Sequence, residues 1–242
     1  MRNGSSKRIR LSLAFFWLSA SAASVWLLSA QNPEMQQKIA EVKAAVAMNK
    51  QALGQYTWVE QDTIILKGEQ KKQEQFQVRL GPDGKAQKTP LDPQAPEASG
   101  GHEGRLKKHI VEKKKEEYKE YADQIRELIR QYLPPDKDAL EQARQKGNIM
   151  VGAEPSSPGQ YRAVISNYIK QGDKMTLVMD GTQKNIVRLS IATYLDDPKD
   201  AVNVDAVFSP IPDGPNHVSS ATINGVSKQL TISVQNSNYQ KL

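Results

Sequence analysis

The stretches YRAVISNYIK (161–170), KMTLVMD (174–180), NIVRLSIATYL (185–195), AVNVDAVF (201–208) and QLTISV (229–234) decide the fold. Tyr161, Ala163, Ile165 and Ile169 alternate with Arg162, Ser166 and Lys170. Met175, Leu177 and Met179 alternate with Thr176 and Val178, and Val202, Val204, Ala206 and Phe208 oppose Asn203 and Asp205. Val187, Leu189, Ile191 and Leu195 share a face that excludes Arg188, Ser190 and Thr193, and Leu230, Ile232 and Val234 repeat with period two. Successive side chains of a strand point to opposite faces, so each stretch reads as a strand with one apolar face. The connections DGTQKN, DDPKDA, PIPDGP and INGV are short turns, with Asn224-Gly225 read as a tight hairpin dipeptide. Parallel crossovers need a dozen residues or more, so these strands are antiparallel.

Upstream, YTWVEQDTIILKG (56–68) is rich in aromatic and β-branched residues, and QFQVRL (75–80) alternates before the turn signal GPDGK (81–85). These segments predict a further meander of about three strands, for about nine in all. One-sided alternation predicts a sheet that is wet on one face and covered on the other. The covering material is helical. In residues 31–53, Asn32 caps and Pro33 opens a helix with Ile39, Val42, Val46 and Leu53 on one stripe, ended by Gly54. RLKKHIVEKKKEEYKEYADQIRELIRQYL (105–133) is a long helix whose apolar side carries Leu106, Ile110, Tyr118, Tyr121, Ile125, Leu128 and Tyr132. Pro134-Pro135 stops it, and Asp136 caps a shorter helix that Gly147 ends. The expected fold class is α+β: a single curved antiparallel sheet, a half-barrel covered on its concave face by the N-terminal helix and the central helical pair. A Pro/Gly-rich loop at 91–104 precedes the helical lid at 105–147.

Residues 1–30 have the layout of an export signal. Arg2, Lys7, Arg8 and Arg10 precede the apolar run 11–30, and small residues allow cleavage after Ala22 or after Ala30. An uncleaved anchor is the alternative, because about twenty apolar residues can span a bilayer. Residues 31–242 then form a single exported domain, periplasmic or extracellular, with no transmembrane domain once the signal is cleaved. The four signal cations stand against no acid in residues 1–30, so the formal charge of +6 falls to about +2 for the remainder. The sequence pI of 9.3 is therefore no nucleic-acid footprint. With no cysteine, lipid attachment at a cysteine, disulfides and thiolate chemistry are excluded.

No catalytic constellation emerges. His102, His109 and His217 have no metal spacing and read as surface residues, and there is no G-x-S-x-G, phosphate loop or dinucleotide fingerprint. Asp196, Asp197 and Asp200 crowd one turn, which reads as turn chemistry rather than a calcium site. Residues 105–120 carry seven cations and four anions, a solvated helix face in preference to a lipid-headgroup contact. The expectation is a protein without enzymatic activity, cofactor or metal. Tyr56, Trp58, Met175, Leu177, Met179 and Phe208 are the residues that either line a cavity for an apolar ligand or fill a dry core.

The order of helix, strands, helix pair and long antiparallel meander resembles the periplasmic lipoprotein-carrier superfamily, which includes the outer-membrane lipoprotein-sorting carrier. The opening KIAEVKAAVAMNKQALGQYTWVEQDTIILKGE has a similar layout of helix, polar junction and aromatic strand ending in a Lys-Gly turn. YLDDPKDAVNV, IPDG and QNSNYQKL look closer to a family of uncharacterised exported bacterial proteins. The first resemblance implies a half-barrel that carries acyl chains beneath a helical lid, with a lipid or lipidated protein as partner. The alternative is a structural or interaction protein of the cell envelope, with a packed core and an envelope protein partner. Two features depart from the carrier pattern. The helical pair is long and strongly charged, and no buried arginine can be placed, since Arg162 and Arg188 fall on solvent positions of their strands.

Overall fold

A computed structural model describes residue 41, residues 44, 45 and 47–91, and residues 105–242. The expected export signal, most of the N-terminal helix and nearly all of the 91–104 loop lie outside the described residues. Helix α1 is described at residues 41, 44, 45 and 47–53. It leads into β1 (Tyr56–Leu66), β2 (Glu69–Leu80) and β3 (Ala86–Pro90). Lys67 and Gly68, both at positive φ, form the two-residue turn between β1 and β2, whose twist matches that of paired strands. Helices α2 (Arg105–Tyr132) and α3 (Lys137–Gln145) follow. Asp136 caps α3 as expected, its carboxylate accepting from the Ala139 N–H at 2.9 Å. Seven strands complete the chain: β4 (Ile149–Ala153), β5 (Gln160–Ser166), β6 (Lys174–Asp180), β7 (Asn185–Tyr194), β8 (Ala201–Pro210), β9 (Asn216–Gly225) and β10 (Leu230–Lys241).

All ten strands belong to one antiparallel sheet in the order β3-β2-β1-β10-β9-β8-β7-β6-β5-β4. The last strand thus lies beside the first, with Ile64 opposite Ile232 and Leu66 opposite Leu230. Bulges at Thr57/Val59, Ile64/Ile65, Val178/Met179 and Val207/Phe208 add twist and bend, which curls so wide an open sheet. The architecture is an α+β half-barrel.

The inner face is apolar where α2 and α3 lie on it. Tyr121, Ile125, Leu128, Tyr132 and Leu140 share one buried cluster with Leu189, Ile191, Val202, Val204, Ile223, Ile232 and Val234. Each such aliphatic or aromatic side chain contributes about 1.5–3 kcal/mol on full burial. The outer face is polar and bonded across strands, with Ser190 to Asp205 at 2.8 Å, Thr231 to Asn224 at 2.8 Å and Gln75 to Gln61 at 3.0 Å.

Helices α1 and α2 are tied to turns at opposite ends of the strands. Along α2, the Tyr121 hydroxyl reaches Asp200 of the β7–β8 turn at 2.7 Å and Ser227 of the β9–β10 turn at 3.1 Å. Tyr132 donates to Asp173 of the β5–β6 turn at 2.6 Å. Asp173 also accepts the backbone N–H groups of Tyr168, Ile169 and Lys170, so one buried carboxyl organises the turn and holds the helix. At the far end, Glu41 pairs with Lys184 of the β6–β7 turn at 3.2 Å, and Asn49 accepts the Asn216 N–H at 3.1 Å.

The strand count is refined, and three readings need correction. The described residues hold ten strands where about nine are expected; β4, with sequence IMVGA, is a short edge strand lacking the alternation that marks the others. Thr193, read as excluded from the apolar face of its strand, is buried on it, its hydroxyl 2.7 Å from that of Tyr132. Ile169 lies in the β5–β6 turn, where its N–H bonds Asp173. Asn224-Gly225 is not the hairpin turn, which falls at residues 226–229 with Gln229 at positive φ. Gly225 instead ends β9 under α2. A Cβ there would lie 2.6 Å from a Tyr121 ring carbon and 2.7 Å from Ile125 Cδ1, so glycine permits the helix to approach.

Candidate functional site

On β1 the period of two puts Trp58, Glu60, Asp62, Ile64 and Leu66 on the inner face. On β2 Phe76 lies opposite Glu60 and Val78 opposite Trp58, and on β3 Lys88 lies opposite Val78. Trp58, Phe76 and Val78 form a second apolar cluster, distinct from the one under α2. Into it are set three ionisable groups. Lys88 Nζ bonds Glu60 Oε1, lies 3.4 Å from Asp62 Oδ2, and sits 5.4 Å above the Phe76 ring. Their side chains are only 10, 4 and 2 % exposed for Lys88, Glu60 and Asp62. Burial raises the Asp62 carboxyl far above the usual carboxylate range; Lys88 offsets part of this and the neighbouring Glu60 adds to it. Asp62 Oδ1 is buried without a hydrogen-bond partner.

Aromatic rings extend this group toward β9 and β10. Tyr239 stacks on Trp58 at 5.8 Å, and His217 meets Tyr239 at 4.1 Å between ring centroids. Burial pushes the Tyr239 hydroxyl above its ordinary range, with the Glu60 charge acting in the same direction. His217 is buried, not the surface residue its place beside a turn implies, and its Nδ1 has no hydrogen-bond partner. Desolvation lowers its pKa to about 4, so its imidazole is neutral at neutral pH. The side chains of His102 and His109 lie outside the described residues.

The six residues expected to meet a ligand or fill a core do not form one group. Met175 is buried in the main cluster under the helices, with Leu177 and Phe208 partly buried against it. Met179 is buried farther along β6, opposite Tyr161 on β5 and Ile186 on β7. Trp58 belongs to the second cluster, and Tyr56 is half-buried at the start of β1 with its hydroxyl close to Gly214. Sequence reasoning missed Glu60, Asp62 and Lys88. Alternation with Trp58 was the available signal for the two acids; nothing local marks Lys88 within a five-residue strand.

Elsewhere, Asp197 accepts the Lys199 N–H at 2.8 Å as turn chemistry, while Asp200 anchors Tyr121. Among the described residues no three His, Asp or Glu are grouped to hold a metal ion. Residues 112–117 of α2 are exposed, and Arg162 and Arg188 face solvent. No described helix is long and apolar enough to cross a membrane.

The fold and site together define an open antiparallel half-barrel with a buried charged group on the inner face of β1–β3. No family model matches the sequence, and no curated protein matches it. Two solved structures are similar. One, a DUF1329 family protein from Desulfovibrio piger, is 13% identical, with 84% of this chain and 92% of that chain covered at a TM-score of 0.40. The other, a LolA superfamily protein from Nitrosomonas europaea, is 7% identical, with 83% and 93% covered at a TM-score of 0.36. The fold assignment rests on the strand order and packing above rather than on either likeness.

Proposed function

We propose that this chain is an exported, non-enzymatic binding protein that holds a lipid or other amphiphile in the β1–β3 part of its half-barrel. Residues 1–30 direct export, and residues 31–242 act as one unit with the helices as its lid. The observation that carries this reading is the buried Lys88–Glu60–Asp62 group set in the aromatic floor of Trp58, Phe76 and Tyr239. Replacing buried ion pairs by packed apolar residues is often neutral or stabilising, so stability supplies no reason for charges there. Small-molecule sites combine apolar surroundings with a few convergent polar groups, the composition that Trp58, Phe76 and Val78 give to the setting of Lys88, Glu60 and Asp62.

The solid packing of α2 and α3 over Ile191, Val204 and Ile232 favours the other reading, an envelope interaction protein with no ligand, for that part of the sheet. The two differ in what reaches Trp58. It is the only tryptophan in residues 31–242, so intrinsic fluorescence of the protein made to begin at residue 31 reports on this floor. Amphiphiles brominated along the acyl chain should quench it in a saturable way, and unbrominated ones should compete. Quenching no greater than that by bromide in solution would reject the binding reading.

A further inference from the structure

Among the described residues, the charged groups on the inner face of β1–β3 do not balance. Glu74, opposite Asp62 on β2, is neutralised by Lys72 at 2.8 Å. Lys88 serves two carboxylates, bonding Glu60 and standing 3.4 Å from Asp62. His217 and Tyr239 supply no charge at neutral pH, being buried in their uncharged forms. With every carboxylate ionised the group would carry one uncompensated negative charge, in a place where an unpaired charge is costly. Asp62 Oδ1 is also an acceptor atom without a donor. A buried acceptor left unmade costs about 1–3 kcal/mol, more for a charged group.

We infer that the amphiphile held in this half-barrel bears an ammonium headgroup, which binds Asp62 through Oδ1 and supplies the missing positive charge. This rests on the amphiphile reading above and adds the chemistry of the headgroup. An ammonium N–H would give Oδ1 its donor, and its charge would leave the group neutral overall with Glu60 still on Lys88. In the unliganded protein a proton does this work: burial favours the protonated carboxyl of Asp62. Headgroup binding therefore exchanges one cation for another, and the displaced proton leaves to solvent. An anionic headgroup would instead meet two carboxylates, and Lys88 is already engaged with them.

The test uses the exported protein recovered from the periplasm and three twelve-carbon probes below their micelle concentrations: dodecylammonium, dodecyl maltoside and dodecanoate. Calorimetry at pH 7 should show dodecylammonium binding about ten-fold tighter than dodecyl maltoside, with dodecanoate weakest. Measured in phosphate and in Tris, the ammonium probe should release close to one proton, and the maltoside none. Asp62→Asn should level the ammonium and maltoside affinities, and Lys88→Gln should widen the gap, so a folding defect in one variant leaves the other to decide. Equal affinities for ammonium and maltoside in the unmodified protein would overturn the headgroup assignment and leave the amphiphile reading standing. An ammonium preference that survives Asp62→Asn would overturn it too. Binding of none of the three would overturn both.

Discussion

Replacing Lys88 by methionine separates a charge kept for stability from one kept for another purpose. Lys88, Glu60 and Asp62 are 10, 4 and 2 % exposed, so solvent screens them little. Lys88→Met leaves two buried carboxylates without their cation, and breaking a buried pair from one side costs about 3–5 kcal/mol. The carboxylates can answer by taking protons, so the loss should be larger at pH 8 than at pH 5. The triple replacement Glu60→Leu, Asp62→Val, Lys88→Met removes all three ionisable groups and fills the space with apolar ones. It should recover the loss and end between neutral and about 4 kcal/mol more stable than the parent. Urea unfolding, followed both by circular dichroism and by Trp58 fluorescence, gives the free energies. A triple variant as unstable as Lys88→Met would refute the reasoning, because the charges would then be part of what holds the sheet together.

Gly225→Ala places a methyl against Tyr121 and Ile125 and should cost about 1–3 kcal/mol, measured by chemical unfolding, as α2 is lifted from β9. Tyr132→Phe removes the hydroxyl that donates to Asp173 while three backbone N–H groups remain on that carboxyl. A hydrogen bond to a charged group accounts for about 1.5–3 kcal/mol, and hydrogen exchange should quicken first in the β5–β6 turn. His217, held at about 4 against an ordinary 6.5, takes its proton later in the folded than in the unfolded chain as pH falls. Its contribution to stability is therefore full above pH 6.5 and is lost toward pH 4, by about 3 kcal/mol. The raised carboxyl of Asp62 works in the opposite sense, adding stability as pH falls. His217→Gln should accordingly unfold with a stability profile that rises relative to the parent between pH 6.5 and pH 4, and parallel profiles would contradict this.

The antiparallel sheet was legible because one-sided alternation leaves few alternatives, and Leu189, Ile191, Val204, Ile223 and Ile232 stand in the core. The capped helix after Asp136 was legible for a local reason, since its cap bond is made three residues on. What failed depended on distant partners. Gly225 carries a turn signal in sequence, yet its smallness answers to a helix more than ninety residues earlier. β4 is short and at the sheet edge, where period two has little length in which to appear. The candidate site was least legible of all. Lys88 reads as one more surface lysine until β3 is laid beside β2, and β2 beside β1, bringing it across Val78 to Glu60. His217 reads as a turn residue until Tyr239, near the end of the chain, packs on it.

Native mass spectrometry of the protein exported to a bacterial periplasm and purified without detergent tests the central claim most directly. The account predicts a reproducible added mass that solvent extraction removes, with fragments of an amphiphile. A bare chain mass that stays unchanged after incubation with membrane lipids would contradict it.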